Sequence, residues 1–154
     1  MPFDPIILLF LSSGLFLGWA LGANDAANVF GTAVGTKMVT WRTAAIICSV
    51  FLILGALVSG AGTTQTLGKL GAISALPGAF MTAFSAGFSV FFMTKSGLPV
   101  STSQAIVGAI IGWNFFSKSP TDSFLLTQIL STWILCPIIA GMIAILLLKF
   151  IKFL

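Results

Sequence analysis

Long apolar runs alternate along this chain with short clusters of Gly, Ser, Thr, Pro and Lys, and most runs approach the roughly 20 residues that carry a helix across a bilayer. The first covers residues 5–23 and opens on Pro5, which a helix accepts in its first turn. At Asn24-Asp25 the polarity changes abruptly, and a helical pattern resumes over residues 26–36, so the two pieces read as one long helix broken at the polar pair. A second run, 43–59, ends in Gly60-Ala-Gly-Thr-Thr-Gln-Thr66, whose composition suits a hydrated loop better than a polar lining. The third covers 73–94. Pro99 pre-sets the start of a fourth, with Ser101, Thr102 and Ser103 in its first turn, and a fifth covers 124–148. No segment alternates with period two, which favours helices over a barrel. The pattern therefore predicts an all-α integral membrane protein of about five hydrophobic helical segments, broken helices among them.

Composition agrees. With 58% hydrophobic and 6% charged residues, the 154-residue chain has too little polar surface to clothe a soluble globule, so residues 1–154 read as a single transmembrane unit in a lipid bilayer, without a soluble domain. The expected location is the cell membrane, crossed several times. The net charge of +4 arises from seven Lys and Arg against Asp4, Asp25 and Asp122, and the basic residues stand between or beyond the apolar runs. They read as orientation anchors, and no basic cluster interleaved with aromatics points to nucleic acid. If every segment crosses once, Lys37, Arg42, Lys95, Lys149 and Lys152 share one side and Lys69 and Lys118 the other, placing the N-terminus outside. If the Pro99 region re-enters instead, the later topology reverses and the bias falls to four against three; both arrangements stay open. The absence of Lys or Arg ahead of the first run argues against a cleaved signal peptide. Cys48 and Cys136 lie inside apolar runs and read as small core residues, and Gly14, Gly18 and Gly22 as a surface for close helix packing.

The chemistry concentrates in two places. Asp25 is a carboxylate inside hydrocarbon-like sequence, which costs several kcal/mol unless a partner, an ion or a water-filled cavity compensates. Asn28 and Thr32 follow at three and seven residues and so share its helical face, while Asn24 lies at the break. A carboxylate, amide carbonyls and a hydroxyl are the hard oxygen ligands that a small cation such as sodium accepts. The competing reading is a hydrogen bond between helices. At the Pro99 helix, Ser101, Gln104 and Gly108 share a face. A helix start carries unpaired N–H groups and partial positive charge, so it attracts anions; plain capping by Ser and Thr competes equally there. Two helix breaks in one apolar chain point to a transporter site built from discontinuous helices. With no His, no Cys partner and no nucleophile triad, an enzyme is not expected, nor is a cofactor.

The string Gly22-Ala-Asn-Asp-Ala-Ala-Asn-Val-Phe-Gly31 resembles the signature of the inorganic phosphate transporter (PiT) family, and Gly97-Leu-Pro-Val-Ser-Thr-Ser-Gln-Ala-Ile-Val-Gly-Ala-Ile-Ile-Gly112 resembles that family's second marker. The resemblance implies symport of inorganic phosphate with sodium or protons, by a protein of two inverted repeats that each carry the Asn-Asp motif. It places Asn24, Asp25 and Asn28 in the ion and substrate site; these three, with Thr32 added from its shared helical face, are expected to hold the coupling cation. It assigns Asp25, Asn28, Ser101, Thr102, Ser103 and Gln104 to phosphate. Gln104 stands where many members have His, which favours sodium as the coupling ion. No second Gly-Ala-Asn-Asp string occurs, so the chain reads as the N-terminal half of such a transporter. The complementary half is then a separate chain, a second copy packed antiparallel, or a part removed from this one. The rival readings are a permease for another oxyanion such as sulfate or arsenate, an ion channel that uses Asp25 for selectivity, and a scaffold.

Overall fold

The structure is a computed structural model that describes residues 4–71 and 76–153. Five helices follow one another: α1 (Pro5–Gly35), α2 (Trp41–Leu70), α3 (Leu76–Lys95), α4 (Thr102–Ser117) and α5 (Ser123–Phe153). Four of them, all but α4, are long and apolar enough to cross a membrane, and the chain is a multi-pass membrane protein. Ile73, the expected start of the third run, lies outside the described residues.

Local chemistry sets the helix ends. Asp4 caps α1 by accepting from the Ile6 N–H at 3.0 Å, ahead of Pro5. Thr40 does the same for α2 through the Thr43 N–H at 3.3 Å. Gly97, at φ +73°, ends α3 in the left-handed conformation that glycine adopts without penalty, and the Leu98 N–H closes the turn on the Met93 carbonyl at 3.0 Å.

Two expectations are corrected. α1 is not broken at Asn24-Asp25 but runs continuously through the pair. The polar side chains find partners sideways, on a distant segment, and the backbone ladder has no need to open. Nor do residues 60–66 form a loop: α2 continues to Leu70. Thr64 and Thr66 donate to the carbonyls of Gly60 and Gly62 at 2.9 and 3.0 Å, so their hydroxyls are satisfied within the helix.

The unit formed by Met1–Pro120 is built on two parallel helices. Phe10 meets Phe80 with ring centroids 5.9 Å apart, Phe16 meets Phe84 at 5.8 Å, and Trp19 meets Phe91 at 5.5 Å, so α1 and α3 advance together in one direction. Gly87 makes this contact possible, because a Cβ there would stand 2.9 Å from Phe16 Cδ1 and 3.1 Å from Leu17 Cα. α4 then turns back along α3: Gly78 lies under the Trp113 indole, and Asn114 Nδ2 donates to the Leu70 carbonyl at 3.3 Å. The pair α3 and α4 is a hairpin whose base lies at the end of α2 and whose tip lies beside Asn24. Residues 25–35 carry α1 about 16 Å past that tip at 1.5 Å per residue. The hairpin thus reaches only part of the way along α1, and α4, at 16 residues, falls short of a crossing. Lys69 and Lys118 stand at its base, Lys37 and Arg42 at the far end of α1, and Lys95 at the tip.

α1 and α2 join through residues 36–40 and diverge, leaving an apolar groove of about 880 Å³. Among the described residues the glycine ladder meets no packing partner: a Cβ at Gly14, Gly18 or Gly22 would have no atom within 4 Å, and Gly18 and Gly22 line the groove instead. The second unit, Thr121–Leu154, consists of α5, capped by Asp122 through the Leu125 N–H at 3.0 Å and carrying Pro137 in its interior.

Candidate functional site

α1 and the hairpin tip meet around Asp25. Its Oδ1 accepts two hydrogen bonds, from Thr102 Oγ1 at 2.9 Å and from Asn24 Nδ2 at 2.8 Å. Oδ2 accepts none among the described residues. Thr102 and Asn24 are both buried, which keeps water from competing for these bonds. Asn24 also donates to the Val100 carbonyl at 2.8 Å and accepts from Thr94 Oγ1 at 3.3 Å. The neighbourhood in which a lone carboxylate would be costly is therefore furnished with polar partners from three parts of the hairpin, the Thr94 and Thr102 hydroxyls as donors and the Val100 carbonyl as an acceptor.

Beside this network opens a cleft of about 520 Å³, lined by Asp25, Asn28 and Val29 of α1 and by residues 99–103. Ser101 is the N-cap of α4, and its Oγ accepts from the Gln104 N–H at 3.4 Å. Thr102 and Ser103 are the first helical residues, and their backbone N–H groups donate to no acceptor among the described residues. The positive end of α4 thus faces the Asp25 carboxylate across the cleft. One wall offers oxygen acceptors, the other hydroxyl and N–H donors.

Of the residues expected at a site, Asp25, Asn28, Ser101, Thr102 and Ser103 come together at this cleft. Asn24 lies behind it, in the buried network. Thr32 is exposed one turn beyond Asn28 and Gln104 is exposed on α4, and neither lines the cleft. Thr94 and the Val100 carbonyl were not anticipated. A threonine before a loop carries no pattern that marks it as a partner, and a backbone carbonyl carries none at all. Among the described residues, His, Cys, Asp and Glu form no group of three that could hold a metal ion.

A carboxylate set against a helix start inside an all-α membrane protein is an uncommon arrangement, because a charge there needs compensation. The comparison with known proteins is specific: residues 21–154 match the model of the phosphate transporter family, and the chain belongs to that family. A protein of Thermococcus kodakarensis named "Putative phosphate permease" is 35% identical over 163 residues, covering 95% of this chain and 38% of that protein. One of the same name from Haemophilus influenzae is 36% identical over 143 residues, covering 85% of this chain and 34% of its own length. A third, from Pyrococcus furiosus, is 35% identical over 158 residues, covering 92% of this chain and 37% of that protein. The chain thus spans well under half the length of these relatives. No solved structure matches it.

Proposed function

We propose that this chain is one repeat of an inverted-repeat symporter in the cell membrane that moves inorganic phosphate together with a cation, sodium rather than a proton. Family membership and the relatives' names support phosphate as the cargo. The observation that carries the reading is the Asp25 carboxylate facing the start of α4 across one cleft. Sodium takes oxygen ligands from Asp25 and Asn28, with Asn24 behind them and Thr32 on the approach. Phosphate oxygens are met by the hydroxyls and N–H groups of Ser101, Thr102 and Ser103, with Gln104 one turn further along α4.

Coupling follows from charge. A phosphate brought to within about 5 Å of a bare carboxylate meets a repulsion of about 3 kcal/mol at an effective dielectric of 20. A sodium ion on Asp25 removes that repulsion, so the anion enters well only after the cation. A complementary half, on a separate chain, a second copy or a part removed from this one, completes the enclosure of the cleft.

The test is uptake of labelled phosphate by proteoliposomes that contain the protein with any chain that accompanies it. An inward sodium gradient should drive saturable uptake, and Asp25→Asn should abolish it. Undiminished uptake by that variant overturns the assignment. Ohmic conductance in place of saturable uptake indicates a channel, and displacement of phosphate by sulfate at equal concentration indicates a general oxyanion permease.

A further inference from the structure

Asn24 is 3% exposed and lies next to the cleft without lining it. Its carboxamide is engaged at both ends. One Nδ2 hydrogen points to Asp25 Oδ1 and the other to the Val100 carbonyl, each at 2.8 Å, with Thr102 Oγ1 at 3.5 Å. Its Oδ1 accepts from Thr94 Oγ1 at 3.3 Å. These partners sit in the last turn of α3, in the connection, and in the first turn of α4. A single buried amide therefore ties the carboxylate to every part of the hairpin tip.

We propose that Asn24 is a positioning residue that transmits the state of Asp25 to the anion-facing start of α4; this rests on the cation and phosphate roles assigned above. Val100 immediately precedes the N-cap Ser101, so the peptide unit whose carbonyl Asn24 holds also contains the Ser101 N–H. When a cation draws charge from the Asp25 carboxylate, Oδ1 becomes a poorer acceptor and the amide shifts its weight toward Val100. The helix start follows, because its first peptide unit is what the amide grips. Thr102 joins Asp25 as well, but through a side chain that can rotate about χ1 without moving the backbone. The amide acts on the backbone itself. An aspartate at this position could not do this, since it would set a second carboxylate against Asp25 and against the Val100 carbonyl.

The role is measured as a coupling factor, the ratio of phosphate dissociation constants without and with saturating sodium, determined by calorimetry on the protein as purified with any accompanying chain. Coupling between two sites of one protein usually amounts to about 5- to 150-fold and is reciprocal. In the wild type the factor should lie in that range. In the near-isosteric Asn24→Leu, at a sodium concentration that the same calorimetry shows to saturate the variant, it should fall toward one. Thr94→Val removes only the outer hydroxyl, touches no residue of the cleft, and should give an intermediate factor. If Asn24→Leu fails to fold, Thr94→Val decides, and an unchanged factor in that variant overturns the proposal. Equal weakening of both ligands with the ratio preserved also overturns it, because a merely structural residue behaves in that way. A wild type without any sodium effect on phosphate binding instead removes the symport reading on which the proposal stands.

Discussion

Thr102 Oγ1 lies 2.9 Å from Asp25 Oδ1, joining two residues 77 positions apart in the chain. The bond satisfies the buried Thr102 hydroxyl and half-buried Asp25 at once. The carboxylate is stabilised by a donor and by the positive end of α4, and the hairpin tip is held on α1 by the charge it covers.

Replacing Thr102 by Val keeps the shape and removes the donor. A hydrogen bond to a charged group contributes about 1.5–3 kcal/mol, so the variant should melt several degrees lower in detergent, and Thr102→Ser should recover most of the loss. Equal melting of wild type and Thr102→Val would show that the bond contributes nothing.

Capping and anion recognition make opposite demands at Ser101, and one pair of variants separates them. Ser101→Ala loses the cap, about 0.5–2 kcal/mol of helix stability, and should raise the phosphate concentration for half-maximal uptake while leaving the sodium dependence alone. Ser101→Asp keeps a good cap but adds negative charge to the donor wall, and it should abolish phosphate binding in a stably folded protein. Phosphate binding by Ser101→Asp at wild-type strength would reduce Ser101 to a cap.

The parallel contact of α1 and α3 depends on the missing side chain of Gly87. Gly87→Ala drives a methyl to 2.9 Å from Phe16 and 3.1 Å from the Leu17 backbone, which cannot be relieved by rotating a side chain. Overpacking of this kind costs about 1–3 kcal/mol, read as a fall in melting temperature of several degrees. Gly18→Ala meets no atom within 4 Å and should leave the melting temperature of this chain level or slightly higher. A reversed order would show that the α1 and α3 faces have been paired wrongly.

Much of this architecture is legible in the chain. The apolar runs mark the helices, Pro5 marks one start, Pro99 falls three residues ahead of another at Thr102, and the burial cost expected for Asp25 marks the candidate site. What eluded the pattern was decided by contacts from far away or by local bonds that mimic loop composition. The unbroken course of α1 depends on Val100 and Thr102 supplying partners to Asn24 and Asp25. The extension of α2 depends on threonines that bond back to their own helix. Thr94 joined the site only because the two helices run parallel, bringing residue 94 level with residue 24.

The short hairpin also fixes the depth of the cleft. Its base is tied where Asn114 meets Leu70, and α4 reaches about 24 Å towards the tip at 1.5 Å per residue. That is less than the roughly 30 Å of hydrocarbon in a bilayer, so the cleft opens part of the way along α1, and whatever approaches Asp25 from the far end of that helix has about three further turns of it to pass.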